Sequence, residues 1–544
     1  MSRLVTSRWE LTGTLVAQAP VHIGGLDAGP AQLVQARDGA GRPLLPGTAL
    51  AGVIRSTLRA AGAPDYLLWG LAPKPDGTGG AASRVRIDDA PAIDEPQVEL
   101  RDHVSIDRVH GVAARGHLFS REVLPAGTRF EFRMVVDAPT DDSTSKAEKL
   151  ARTVAARLCG PGISVGAATT RGLGLVRLED AVLRVSDLAT RAGMLAALCS
   201  GGQKVDLAEA DPGAVPPGTL RISVPWRPHG PLAVQVSADG DVVSAFPLTG
   251  RNGDRTHLEL PGSSIKGVLR SHAERITRTV TGATAPKKFL DQMRADGLGP
   301  VAALFGTAAA RDSKDRDLPA GRRGALQVAT CVSNAALPTA QWDAVRLLQR
   351  RLDETVHQNA HAPDGGNPPE RTTDQVRAAL GTLQRAVDEL NATVDGIQFT
   401  IAHHVAVDRW TGGAADALLF ATLEPHATTV DAWQPITLDL AVDQLDQDPT
   451  TTSARADDDR RAALALLLLV LRDLCDGWLG FGHGTTRGAG GVRVDPKRVR
   501  FQADARSGWC RRLDGRSLAE VLADDEVTKP LMTAWLAATT GGQA

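Results

Sequence analysis

Cysteine is scarce in this chain: five among 544 residues, at Cys159, Cys199, Cys331, Cys475 and Cys510. They are odd in number, far apart and never in a C-x-x-C pair, which argues against a disulfide framework and against a zinc site. Long apolar runs are lacking too. The longest, Ala462 to Leu471, is half the roughly 20 residues that a membrane-crossing helix needs, so it reads as a buried helix and no membrane partner is expected. The first residues, MSRLVTSRWELTGTLVAQ, scatter Arg and Glu where a secretory signal needs unbroken apolar sequence, and the expected location is cytoplasmic. Net charge is nearly absent as well, at -2. No global basic excess announces nucleic acid, although a basic groove can be balanced by acidic surface elsewhere.

What is present is ordinary globular material, 42% hydrophobic and 23% charged with 55 Gly and 32 Pro, enough for a sizeable core. The length suits two large domains or about three smaller ones. Most of the positive charge is Arg, the side chain suited to bidentate phosphate contacts and to stacking on bases.

Internal repetition organises the chain. Gly166-Ala-Ala-Thr-Thr-Arg-Gly-Leu-Gly-Leu-Val176 recurs as Gly482-His-Gly-Thr-Thr-Arg-Gly-Ala-Gly-Gly-Val492, with seven of eleven positions identical. Leu45-Pro-Gly-Thr48 with its following Gly-x-x-Arg is answered by Leu260-Pro-Gly-Ser263. Leu68-Trp-Gly70 and His103-Val-Ser-Ile-Asp-Arg108 are answered by Leu304-Phe-Gly306 and His404-Val-Ala-Val-Asp-Arg409. Four matches in the same order make a tandem duplication. The offset grows from 215 residues at the Pro-Gly motif to 301 at the His-Val pair, so the second half carries extra sequence between Arg270 and His404. There, 340–356 and 374–390 each place apolar residues on one face at helical spacing, which predicts an inserted helical pair joined by an exposed Pro- and Gly-rich loop.

Period-two alternation predicts strands at 130–136 and 436–442, followed by helices at 146–158 and 460–474, then a Gly-rich turn and a short apolar strand. That is half of a βαββαβ unit. The strand of Trp9, Leu11 and Leu15 and the helix after Pro46-Gly47 supply the other half. The expected fold is α+β: two tandem ferredoxin-like (RRM-like) domains at 1–199 and 219–505, a linker at 200–218, a helical insertion at about 336–395 in the second domain, and a C-terminal extension at 506–544.

Two repeated motifs could carry chemistry. The T-T-R-G-x-G segment lacks the Lys-Ser/Thr of a nucleotide P-loop, but offers glycines for close backbone approach, N–H donors and one fixed arginine. Thr170, Arg171, Gly172 and Gly174, with Thr486, Arg487, Gly488 and Gly490, are therefore expected to meet RNA phosphates; a tight turn before the last strand is the plainer alternative. The Pro-Gly-Ser/Thr motif predicts a helix start with Thr48 or Ser263 as N-cap, free first-turn N–H groups, and Arg55, or Lys266 and Arg270, on the first turns. The histidines at 22, 103, 117, 403, 404 and 483 have no discernible partners, and a surface or packed role outweighs an acid–base one.

Taken together, His22-Ile-Gly-Gly25, the Pro-Gly-Thr helix start, Ile106-Asp-Arg108 followed by Leu118-Phe-Ser-Arg-Glu-Val-Leu-Pro-Ala-Gly-Thr128, and Thr170-Arg-Gly-Leu-Gly174 resemble the RAMP superfamily. More narrowly they are similar to backbone subunits of type III CRISPR effector complexes. The resemblance implies a guide RNA, a complementary target RNA and other effector subunits as partners. It also implies a thumb formed by the segment after the Asp-Arg pair, with Arg108, Arg115 and Arg409 as RNA contacts. The second half departs from the pattern, offering Pro228-His-Gly-Pro231 where the first has His-Ile-Gly-Gly. Family members that cut target RNA use an aspartate in the loop before the Pro-Gly helix, with Mg2+ as cofactor if cleavage occurs. The family spacing puts Gln32 there in the first half and a residue near Ala245 in the second. Asp27 and Asp38, or Asp239 and Asp241, would serve only with a different gap in the loop, and Asp27 is the acid left to test because Asp38 reads as a turn former. Two other functions stay open: a stand-alone RAMP endoribonuclease that processes guide precursors, and a RAMP-like scaffold without RNA.

Overall fold

The computed structural model describes residues 4–25, 31–60, 66–73, 78–139, 141–238, 242–294, 298–308, 321–360, 373–445 and 453–540. Asp27, Asp239 and Asp241 lie outside them. The chain divides into two compact units. The first holds 1–107, 112–220 and 503–511; the second holds 108–111, 221–502 and 512–544.

In the first unit, strand β1 (Ser7–Ala17) is followed by helix α1 (Gly47–Ala60), β2 (Val85–Ile87), a hairpin of β3 (Glu99–Ile106) and β4 (Ala113–Val123), then β5 (Arg129–Ala138), α2 (Asp141–Cys159), β6 (Leu175–Asp187) and β7 (Gln203–Val205). The sheet order is β7-β6-β1-β5-β2, antiparallel throughout. Without the edge strand β7 this is the βαββαβ arrangement of a ferredoxin-like fold. Alternation drives it: Trp9, Leu11 and Leu15 of β1 and Phe130, Phe132, Met134 and Val136 of β5 face one way and are buried with Leu50, Ile54 and Leu58 of α1 and Val154 and Leu158 of α2. Each such side chain contributes about 1.5–3 kcal/mol on burial. The opposite face of the same strands is polar, with Arg8 paired to Asp137 and Arg133 to Glu10 and Asp88. Residues 200–218, read as a linker, include β7, which extends the sheet by pairing with β6.

The second unit repeats the order. Strand β8 (Thr219–Val224), α3 (Gly262–Thr281), β9 (Leu326–Val328), β12 (Ile436–Ala441), α6 (Ser453–Cys475) and β14 (Arg500–Ala503) give the sheet β9-β12-β8-β14. Between β9 and β12 lie α4 (Thr339–Ala360), α5 (Thr373–Asn391) and a hairpin of β10 (Ile397–Val407) and β11 (Ala414–Ala427). The inserted helices exist, and Trp342, Val345, Leu383 and Val387 are buried as their spacing requires. The last strand of the fold is continuous in the first unit but broken here into β13 (Gly491–Val494) and β14. A C-terminal helix, α7 (Asp525–Thr540), packs on α6, whose apolar run from Ala462 to Leu468 is buried. Among the described residues no helix is long and apolar enough to cross a membrane.

The helix-start expectation needs correcting. Both helices begin two residues early, at Gly47 and Gly262, and Pro261 is the N-cap of α3 with no side-chain capping bond. Thr48 and Ser263 therefore sit inside the first turn. The Gly47 N–H donates to the Asp89 carboxylate at 2.7 Å, so an acid of the chain already stands where a phosphate was expected.

Candidate nucleic-acid interface

The base of the β3–β4 hairpin in the first unit gathers cations. Its register sets His103 opposite Phe119 and Arg101 opposite Arg121. The His103 and Phe119 rings stack with centroids 5.1 Å apart and planes at 23°, and the Arg121 guanidinium carbon lies 5.9 Å from the Phe119 centroid. Arg101 and Arg121 are only 6% and 5% exposed. Like charges directly across a strand pair are destabilising, and burying them adds a desolvation cost. Arg101 is compensated by Glu99 at 2.7 Å. Arg121 has its Nε without a hydrogen-bond partner among the described residues, as does His103 at Nε2.

The Gly-rich segment closes onto this place through the backbone. Ala167 N–H donates to the His22 carbonyl at 2.9 Å, Gly174 N–H to Pro20 at 2.8 Å, and Val21 pairs with Leu124 just beyond β4. Gly166 and Gly174 have φ of +88° and +87°, and a Cβ on either would strike the carbonyl of His22 or of Val165. His22, nearly fully buried, donates from Nδ1 to the Glu122 carbonyl at 2.7 Å. Thr169–Arg171 is a single 3-10 turn that leaves Arg171 exposed at the rim. Its guanidinium is nonetheless crowded, and loss of hydration lowers its pKa. Burial first, then Arg171, lowers that of Arg121. Burial first, then Arg121, Arg171, Arg101 and His22, pushes His103 down to about 4. The ring is neutral at pH 7 among like charges.

The second unit builds the same frame. His483 N–H donates to Ala233, Gly490 N–H to Pro231 and Leu232 N–H to Pro425. The counterpart of His22 is thus Ala233, a correction to the sequence reading that offered Pro228-His-Gly-Pro231 in that place. His404 stacks on Phe420 with centroids 5.0 Å apart and planes at 25°. Ala402 opposite Thr422 replaces the arginine pair. The His404 Nε2 lies 2.9 Å from Thr422 Oγ1 and 3.3 Å from Glu424 Oε1, and Arg487 donates to His483 Nε2 at 2.7 Å. Burial first, then Arg487 and His404, lowers the pKa of His483, with Glu424 opposing.

The expected RNA contacts separate into groups. Arg171, Thr170 and Gly172 are brought to the cationic site, and Thr486, Arg487 and Gly488 are exposed on the matching loop. Gly174 and Gly490 are buried turn residues at positive φ, which accounts for them without a ligand. Arg115 and Arg409 are exposed on their hairpins and Thr48 on α1; Arg55 donates to the Gly70 carbonyl at 3.2 Å. Lys266 is not available to phosphate, being 6% exposed with Nζ on the Leu326 carbonyl at 2.7 Å. Arg270 and Arg108, both in the second unit, share Glu274 at 2.7 and 3.2 Å, so their charge is already met. Gln32 is exposed, its N–H on Ser120 Oγ at 3.3 Å. Asp38 is the turn former expected, accepting from the Ala40 and Arg42 N–H groups. Sequence reasoning missed Arg101 and Arg121, whose signal was an arginine on each side of the His–Phe pair.

A family model described as the RAMP superfamily matches residues 14–177 and 247–493, most of the chain. The chain belongs to the RAMP superfamily. Each match falls within one ferredoxin-like unit and includes its hairpin, so this is a chain of two RAMP domains, in a superfamily that includes CRISPR-associated proteins binding RNA. A search among curated protein sequences gave no match. For Mg2+, the described residues offer no group of three or more His, Cys, Asp or Glu able to hold a metal ion. No step is assigned to it.

Proposed function

We propose that this protein is a guide-RNA-binding backbone subunit of a type III CRISPR antiviral effector complex, meeting a complementary target RNA and other effector subunits. One observation carries the reading: two arginines opposed across a hairpin and buried beside a stacked His–Phe pair, with a third arginine presented by a Gly-rich loop, in a RAMP fold. A cluster of like charge is costly to build, and a polyanion that passes over it repays that cost. Stacked aromatic surfaces beside arginines suit single-stranded RNA, whose bases are free to lie on them.

The test is to express the full chain with a repeat-spacer array and extract what co-purifies. RNA of discrete length with a repeat-derived 5′ tag supports the proposal. Cleavage of a repeat hairpin by the protein alone would make it a processing endoribonuclease, and a preparation free of nucleic acid would make it a scaffold.

A further inference from the structure

We infer that the two halves use their shared frame differently: the His–Phe platform of the first unit seats an RNA phosphodiester between Arg121 and Arg171, whereas that of the second unit takes no phosphate. This rests on the reading of the chain as RNA-binding and assigns the ligand chemistry of one site within it.

The argument is one of substitution on a constant scaffold. Both platforms have the same ring stack, the same two backbone bonds to the Gly-rich loop with a third to the hairpin side, and the same arginine after Thr-Thr. What changes is the charge around them. In the first unit Arg121 is nine-tenths buried with Nε unpartnered among the described residues, and no described carboxylate is paired with it or with Arg171. A tetrahedral phosphate with two charged oxygens supplies acceptors to both guanidiniums, and His103 Nε2, also unpartnered, can donate once protonated. In the second unit Thr422 occupies the place of Arg121, Glu424 stands 3.3 Å from His404, and the arginine of the loop is already directed to His483. A phosphate brought there would meet a carboxylate and a single committed arginine.

The full chain is tested in two arms. In the first, unfolding midpoints are measured at increasing inorganic phosphate, which stabilises a protein in proportion to its binding to the folded state. Stabilisation is expected for the wild type and for Arg487→Ala, and its loss in Arg171→Ala. Arg121→Lys keeps the buried charge and so guards against misfolding; it is expected to bind more weakly while melting near the wild type without phosphate. In the second arm, binding of a single-stranded RNA is followed against salt. Arg171→Ala should lower the slope of log affinity against log salt by roughly 0.7 for the phosphate lost, with an affinity loss of about 10- to 100-fold, while Arg487→Ala leaves the slope alone. Equal losses in the two arginine variants, or no phosphate stabilisation of the wild type, would overturn the inference. Phosphate stabilisation that depends on Arg171 in a chain that binds no RNA would uphold the seat and overturn the guide-RNA reading instead.

Discussion

The two hairpin platforms share geometry to within 0.1 Å in ring separation and 2° in tilt, yet differ in the charges set around the rings. Where the first has Arg101 facing Arg121, the second has Ala402 facing Thr422. A duplicated scaffold is thus held by its glycines and backbone bonds, and its chemistry is free to change at the side chains between them. If the frame is the common part, breaking it should hurt both units alike. That is the largest effect expected. Gly174→Val and Gly490→Val each force a β-branched residue to positive φ, +87° and +73°, with a Cβ against the carbonyl of Val165 or Phe481. Each should destabilise its unit by at least about 1–3 kcal/mol, seen as a lowered urea midpoint. A loss in one variant only would mean that the two turns are not equivalent.

The comparison was partly legible beforehand. The repeated Thr-Thr-Arg-Gly motif and the alternation of β5 and β12 fixed the duplication and the α+β class, because periodicity and glycine requirements are local. The site was less visible. His103 and Phe119 are 16 positions apart, and only the register of the hairpin brings them together with Arg101 and Arg121. Lys266 and Arg270 looked like phosphate ligands by helical position, but burial and Glu274 claim them. The match of Ala233 to His22 needed the backbone bonds, since Pro20-Val-His-Ile and Pro231-Leu-Ala-Val share little beyond their proline.

A second, smaller effect sharpens the electrostatic difference through pH. Burial first, and then Arg121, Arg171, Arg101 and His22, hold the pKa of His103 near 4, with Glu99 paired to Arg101 beside them. A phosphate seated there favours the charged ring and raises that pKa. Binding then takes up a proton, so RNA affinity should rise as pH falls from 7 toward 5, by at most about tenfold per pH unit. The same shift acts oppositely on folding. Between about 4 and the ordinary histidine value the unfolded chain binds more protons, so stability falls as pH drops through that window. His103→Gln should flatten both profiles, and an affinity that stays independent of pH in the wild type would separate His103 from the phosphate.

A third effect, of a few-fold, concerns Glu424. If its carboxylate is what keeps anions from the second platform, Glu424→Gln should strengthen RNA binding by roughly two- to fivefold at low salt and less at high salt, because the charge is only half-buried and salt screens charges over about 10 Å at 0.1 M. Unchanged affinity at low salt would leave the missing arginine pair and the bond of Arg487 to His483 as the differences that matter.

The smallest effect expected is on cleavage, and it bears on whether the first unit is anything besides a seat. The position that the family resemblance implies for the acid holds Gln32, which can neither carry the charge that attracts a divalent ion nor accept a proton near neutral pH, and its backbone N–H donates to Ser120. Asp38 is committed to its own turn, where the Arg42 N–H first, and then the Arg42 side chain and the Ala40 N–H, hold its carboxyl below the usual range. Asp27 is left as the nearby acid without an evident turn role. The assembled complex, given complementary RNA and magnesium, is expected to show no cut opposite this unit, and Asp27→Asn should change nothing. A cut there that vanished in the variant would give the first unit a working acid, and would extend the asymmetry of the two halves from binding to catalysis.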